Sequence, residues 1–176
     1  KLHGTGRVEA RDLTEYKADL IRQNGERSGV KNLWIRQWDA CICHEESLGA
    51  ADVVLADLPC SGLGVLGKKT DLKYRMTREH QEELALLQRQ ILGVVQAYVK
   101  PGGTLIYSTC TINPQENEEN ADWFLKHFPF EAVPLKDCLP KEVINEEALK
   151  GRIQLLPGIH GCDGFFIAKF RRNIES

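Results

Sequence analysis

Ala51-Asp52-Val53-Val54-Leu55-Ala56-Asp57-Leu58-Pro59-Cys60-Ser61-Gly62-Leu63-Gly64 is a short apolar run that passes through an acid into a turn holding a thiol and two glycines. Val53, Val54 and Leu55, bounded by turn signals, predict a strand buried on both faces of a parallel sheet. Pro59 has no N–H to give to a ladder, so the strand is expected to stop near Asp57. Gly62 and Gly64 allow the backbone after it to turn tightly and to approach a ligand closely. Ligands of open α/β sheets lie just outside the carboxyl ends of the strands, which puts Asp57 and Cys60 on the lip of such a crevice. The plainer alternative is a polar turn with Cys60 as a small buried filler, the usual place of a free cysteine.

Two earlier segments repeat the pattern. Residues 6–12 read as a strand closed by Asp12, and residues 33–37 as a strand followed by Asp39. A helix over 15–28 lies between them, with Tyr16, Leu20, Ile21 and Asn24 along one side and Gly29 as its stop. One acid after a strand is ordinarily a turn residue. Three in this rhythm point to a nucleotide-like ligand whose hydroxyls and amines need carboxylate acceptors.

Downstream, residues 67–78 carry Lys68, Lys69, Lys73, Arg75 and Arg78 against a single acid. Such a run is commonly a solvated face; its place just past the Pro-Cys-Ser-Gly turn also suits a phosphate backbone. Residues 79–99 have the strongest helical pattern of the chain, with Leu84, Leu87, Ile91, Val94, Val95 and Tyr98 on a stripe that should pack on the sheet. Lys100-Pro101-Gly102-Gly103 turns into a strand over 104–109 that delivers Cys110. In Asn113-Pro114-Gln115-Glu116-Asn117, Asn113 suits an N-cap, Pro114 the first helical position and Glu116 the third, as in a capping box. Cys110 then sits between a strand's carboxyl end and a helix's amino end, whose dipole favours a thiolate if the sulfur lies within the first turn. Residues 134–150 are polar and irregular. Residues 152–158 and 164–170 read as two antiparallel strands, joined by a loop containing His160, for which exposure is a simpler reading than catalysis.

At 176 residues, with 42% hydrophobic and 27% charged side chains, the chain suits one domain with a sizeable core and is unlike a disordered tail. No apolar run approaches the roughly 20 residues of a membrane helix, and the first residues lack a signal peptide's apolar centre, so a cytoplasmic protein without a membrane partner is expected. The six cysteines read as thiols in that setting. Cys41-Ile42-Cys43 lacks the spacing and the second pair of a zinc knuckle, so no metal site is expected. A net charge of −2 argues against a large basic nucleic-acid surface while allowing a local one.

Asp57-Leu58-Pro59-Cys60-Ser61-Gly62, Lys100-Pro101-Gly102-Gly103-Thr104-Leu105, Ser108-Thr109-Cys110-Thr111, Asn113-Pro114-Gln115-Glu116-Asn117 and Gly161-Cys162-Asp163-Gly164-Phe165-Phe166 follow one another in an order that matches a known family. The chain resembles the Sun-type (RsmB-like) bacterial 16S ribosomal RNA cytosine-5 methyltransferases, over most of residues 7–170. The resemblance implies a Rossmann-like α/β fold that binds S-adenosyl-L-methionine, with a mostly parallel sheet and an antiparallel last strand. It implies that Asp12 takes the cofactor's ribose hydroxyls, that Asp39 lies beside the adenine, and that Asp57 lies at the methionine end and the reaction centre. Cys110 corresponds to the nucleophile, Cys60 to the second cysteine that assists product release, and 16S ribosomal RNA to the partner.

The match has gaps. The family's first strand and its glycine-rich loop precede the equivalent of Arg7, and Gly4-Thr5-Gly6 is too short to stand for them; nor is the amino-terminal RNA-binding region present. Residues 1–176 are therefore expected to be a carboxyl-terminal part of one catalytic domain, binding cofactor weakly and inactive alone. Two sheet edges are left for the chain to pair directly or to share with a second copy. Two other classes compete: a non-catalytic RNA- or ribosome-binding module, disfavoured by the two retained cysteines, and a Rossmann-type oxidoreductase, which wants a Gly-x-Gly-x-x-Gly turn that is not visible.

Overall fold

The computed structural model describes residues 2, 5–68 and 76–174. The chain divides into two compact units, Lys1–Cys43 and His44–Ser176.

In the first unit, β1 (Val8–Asp12) pairs in parallel with β2 (Leu33–Gln37), from Val8 opposite Leu33 to Asp12 opposite Gln37. Helix α1 (Glu15–Arg27) connects them. It starts at Thr14, whose hydroxyl accepts the Lys17 N–H, and it ends before Gly29, at φ +65°. Its buried residues are Ala18 and Gly25, whereas Tyr16 and Leu20, expected on the inner side, are exposed. The helix approaches β2 through small residues: a Cβ on Gly25 would stand 2.8 Å from Leu33 Cδ2.

The second unit holds β3 (Ala51–Asp57), β4 (Val99–Thr109), β5 (Phe130–Ala132), β6 (Arg152–Leu155) and β7 (Phe165–Arg172). The order is β3-β4-β7-β5, with β6 also on β7. β3 and β4 are parallel, and β7 is antiparallel to β4, β5 and β6, so the last strand alone runs against the others of this sheet. The expected α/β class and antiparallel last strand are borne out. The Pro101-Gly102-Gly103 turn is absorbed as a bulge: Ala51 pairs with Val99, but Val53 already pairs with Thr104.

Helices α2 (Arg78–Val95) and α3 (Glu118–His127) supply the core with Leu92, Ala121 and Phe124, against Leu105, Tyr107, Phe166, Ala168 and Phe170 of the sheet. Phe124 is its aromatic centre, with ring centroids 5.0 Å from Phe130 and 4.8 Å from Phe170. Helix α2 ends earlier than its pattern predicts: residues 96–98 tighten to a 3-10 turn, and Val99 already opens β4. The short helix α4 (Glu146–Leu149), capped by Asn145, gives the polar 134–150 region a small core of its own around Leu135, Ala148 and Ile153.

One expectation is overturned. β3 is not buried on both faces; Val53 is 55% and Leu55 73% exposed. Side chains alternate along the strand, so Val54 and Ala56 reach the core, whereas Val53 and Leu55 lie on the opposite face, which the described core does not cover. Among the described residues, no helix is long and apolar enough to cross a membrane.

Candidate functional site

β3 and β4 run side by side to their carboxyl ends, where Asp57 lies opposite Ser108 in register. The Ser108 hydroxyl donates to Asp57 Oδ1 at 2.9 Å, and the Leu58 N–H to the Ser108 carbonyl at 3.1 Å. The two chain segments therefore leave the sheet together. Each reaches a cysteine, and the Sγ atoms of Cys60 and Cys110 meet at 3.1 Å.

Their successors pair as well, Ser61 Oγ with Thr111 Oγ1 at 2.7 Å, both buried. Gly62 turns the chain at φ +69°, a backbone state that strains other residues. The close approach predicted for Gly64 is made, but to protein. Its N–H donates to the Cys110 carbonyl at 3.1 Å, and its carbonyl accepts from Gly164 N–H at 2.8 Å. The turn after β3, the turn after β4 and the loop before β7 are thus stitched together through backbone.

Burial is the main influence on Cys60: with the hydrogen bond to Cys110 and the charge Cys110 carries once ionised, it pushes the thiol up to about 12. The Gly62 and Cys110 amides pull weakly the other way. Cys60 therefore holds its proton at neutral pH and has an S–H to offer its neighbour.

The helix-dipole argument for Cys110 does not survive. Asn113 caps a 3-10 turn, Pro114–Glu116, and α3 begins only at Glu118, which leaves Cys110 outside its first turn. The capping box is also altered: Glu116 Oε1 accepts from the Asn113 side-chain amide at 3.0 Å instead of its backbone.

Beneath the cysteines lies a buried polar layer. Glu116, Asn117, Asn120, Gln88, Thr109 and Thr111 are all fully buried. Thr109 Oγ1 donates to Asn117 Oδ1 at 2.6 Å, and the single proton of the Tyr107 hydroxyl points to the Glu116 carbonyl, with Gln88 Oε1 as its second, more distant acceptor. This layer went unread in the sequence, although Gln88 is a signal: it stands between Leu84 and Ile91 on the apolar stripe of α2, where an amide needs a partner.

The other sequence-predicted residues take these places. Asp12 ends β1 and accepts from the Thr14 N–H at 3.1 Å, with Lys17 Nζ 3.8 Å from its other oxygen. Asp39 follows β2 and accepts from the Cys41 N–H at 2.8 Å. Lys68 is exposed and paired with Asp163 at 2.6 Å; Arg78 is paired with Glu82 at 3.1 Å. Lys69, Lys73 and Arg75 lie outside the described residues. His160 Nδ1 accepts the Leu156 N–H at 2.9 Å, closing its own loop.

Ribosomal RNA small subunit methyltransferase F of Escherichia coli strain K12 is 31% identical over 176 residues, covering 98% of this chain and 36% of its own. Among solved structures, NSun6 from Pyrococcus horikoshii with SFG superposes with a TM-score of 0.80 at 28% identity, covering 99% of this chain and 43% of that one. A methyltransferase homolog protein from Pyrococcus horikoshii gives a TM-score of 0.76 at 30% identity, covering 95% and 53%. The chain spans about a third of the length of the curated relatives it matches. Residues 1–171 match the family described as 16S rRNA methyltransferase RsmB/F, and the chain belongs to that family.

Proposed function

We propose that the chain carries the reacting residues for transfer of a methyl group to C5 of a cytosine in 16S ribosomal RNA, by way of a covalent bond between Cys110 and C6. The observation that supports this reading is the 3.1 Å approach of two sulfurs at the carboxyl ends of adjacent parallel strands. C5 of cytosine is a poor nucleophile. Addition of the Cys110 thiolate forms an S–C6 bond and moves the C5–C6 electron pair onto C5, which would then bond the methyl carbon as that carbon's bond to the donor sulfur breaks and leaves its electrons on that sulfur. Asp57 faces the N3 side of the base and accepts a hydrogen bond from its exocyclic amine while that charge is present. Loss of the C5 proton then restores the double bond, and the S–C6 bond breaks, returning its electrons to Cys110. The target base has to leave its stack to be reached.

Cys60 fits the later steps. Once Cys110 is bonded to carbon, its charge and its hydrogen bond no longer hold the Cys60 proton, and burial alone keeps that thiol raised. Cys60 is thereby readier to exchange a proton at the stage when C5–H is lost and Cys110 departs.

The acceptor-only carboxylates suit S-adenosyl-L-methionine: Asp12 for ribose hydroxyls, Asp39 for the adenine edge and Asp57 for the methionine end. When bound, that cofactor supplies the methyl group. Lys68 and Arg78 can exchange their partners Asp163 and Glu82 for RNA phosphates, and Lys69, Lys73 and Arg75 belong to the same basic run of sequence. The reading carries with it a cytoplasmic site of action. It also leaves the open edge of β3 able to pair with a second copy.

The test uses the full-length protein and RNA containing 5-fluorocytosine, whose C–F bond blocks the last step and traps the adduct. Cys110→Ala is expected to abolish trapping, and Cys60→Ala to preserve or increase it. Trapping that persists without Cys110 means the two roles are reversed.

A further inference from the structure

Glu116 is 0% exposed, and among the described residues no lysine or arginine forms an ion pair with it. Its carboxylate instead faces three donors. Oε2 accepts from the Ser61 backbone N–H at 2.9 Å and from Gln88 Nε2 at 2.9 Å; Oε1 accepts from Asn113 Nδ2 at 3.0 Å. Gln88, equally buried, donates as well to the Pro59 carbonyl at 2.9 Å. Its own oxygen accepts from Asn120 Nδ2 at 2.8 Å, so the orientation of its amide is fixed by partners on both sides.

Pro59 and Ser61 flank Cys60. The peptide groups on either side of that cysteine are therefore held by one buried pair, and Glu116 itself belongs to the segment that follows Cys110. We propose that Glu116, acting with Gln88, is a positioning residue that fixes Cys60 at working distance from Cys110. A buried carboxylate without a cation is a costly way to stabilise a fold, and an apolar side chain of like volume would serve packing better. What the carboxylate does that an apolar group cannot is accept three N–H donors from three separate segments. The inference rests on the proposed roles of the two cysteines, though its geometry does not.

The experiment therefore has two arms, both on the full-length protein at temperatures well below melting. In the first, diamide takes two protons and two electrons from Cys60 and Cys110, becoming the hydrazine as the S–S bond forms. The sulfurs need to move only about 1 Å to reach the ~2.05 Å of a disulfide, so the rate reports their alignment. In the second, adduct formation on 5-fluorocytosine RNA and adduct breakdown on RNA with ordinary cytosine are each followed in a single turnover, alongside RNA affinity. Glu116→Gln keeps the shape but turns an amide N–H toward a donor. It is expected to slow disulfide formation and adduct breakdown by roughly 10- to 100-fold, with adduct formation and RNA affinity unchanged, the effect of misplacing a reacting group by about 1 Å. Glu116→Asp, short by one methylene, should not restore them.

Gln88→Met, which removes the other half of the clamp, provides the measurement if Glu116→Gln fails to fold, and the same slowing is expected. Phe124→Leu, a core change away from the clamp, is expected to lower the melting temperature and leave disulfide formation at the wild-type rate. Disulfide-formation and adduct-breakdown rates within twofold of wild type in the folded Glu116 or Gln88 variant, or equal slowing in Phe124→Leu, overturn the proposal. If Cys110→Ala leaves trapping intact, the catalytic roles fall, yet the diamide arm, which uses no RNA, still decides whether Glu116 aligns the sulfurs.

Discussion

Substituting Gly64 by alanine tests whether the three turns at the site are one mechanical unit. Gly64 has no positive φ that would penalise a side chain, so any cost has to come from space. A Cβ there would stand 2.7 Å from the Gly164 carbonyl carbon, closer still to its oxygen, and 2.8 Å from the Cys110 oxygen. All three are backbone atoms and cannot rotate away, so the turns must separate. Overpacking of this kind costs about 1–3 kcal/mol. Separation also weakens the Gly64–Cys110 and Gly164–Gly64 hydrogen bonds, at roughly 1 kcal/mol each, so a loss of about 2–4 kcal/mol is expected for Gly64→Ala. For a chain of this size that corresponds to a melting temperature lower by about 6–15 °C. Chemical denaturation measures the loss, and diamide cross-linking of Cys60 to Cys110 reports whether the sulfurs have parted. A variant within about 0.5 kcal/mol of wild type, cross-linking at the normal rate, refutes the reasoning, because the backbone contacts would then have to be slack.

Other outcomes follow from the same geometry. Alkylation of Cys60 should stay slow through pH 9 and rise only toward pH 12; Cys110→Ala should shift the rise to lower pH but not to 9.0, since burial remains. A thiol raised on folding stabilises the fold below its unfolded value and loses that contribution as pH climbs from about 9 to about 12; Cys60→Ala should remove this part of the alkaline decline, read by denaturation across that window. Lys68→Glu is expected to weaken binding of all RNA sequences alike and to lower the slope of log affinity against log salt by about 1, measured by titration at several salt concentrations. Leu55→Lys should suppress any concentration-dependent association through the exposed run of β3, detectable by sedimentation.

The order of strands and the places where they end could be read from local chemistry. Pro59 stops β3, Gly29 stops α1, and the two cysteines follow β3 and β4, all consequences of neighbouring residues. What escaped was set by long-range packing. The exposure of Val53 and Leu55 depends on what packs on their face of β3, and an apolar triplet carries no record of that. The inner face of α1 is made by Ala18 and Gly25, too small to stand out against Tyr16 and Leu20. Gly64 was legible as a point of close approach, but its neighbour, Gly164, is a hundred residues away. Glu116 looked like a local cap, and its tie to Ser61 spans 55 positions.

The stitching of Gly64 to Gly164 also sets an order of events during synthesis. Ribosomes emit the chain from the amino end, so Cys60 and Cys110 emerge well before the segment that locks their turns. β7, which borders β4 along its length and follows Gly164 directly, comes last of all the strands. A nascent chain, or a product of premature termination upstream of Gly164, holds both thiols without the backbone brace that aligns them. The brace on the two sulfurs is thus completed only once Gly164 has been made, and a chain cut short before that point carries no braced pair.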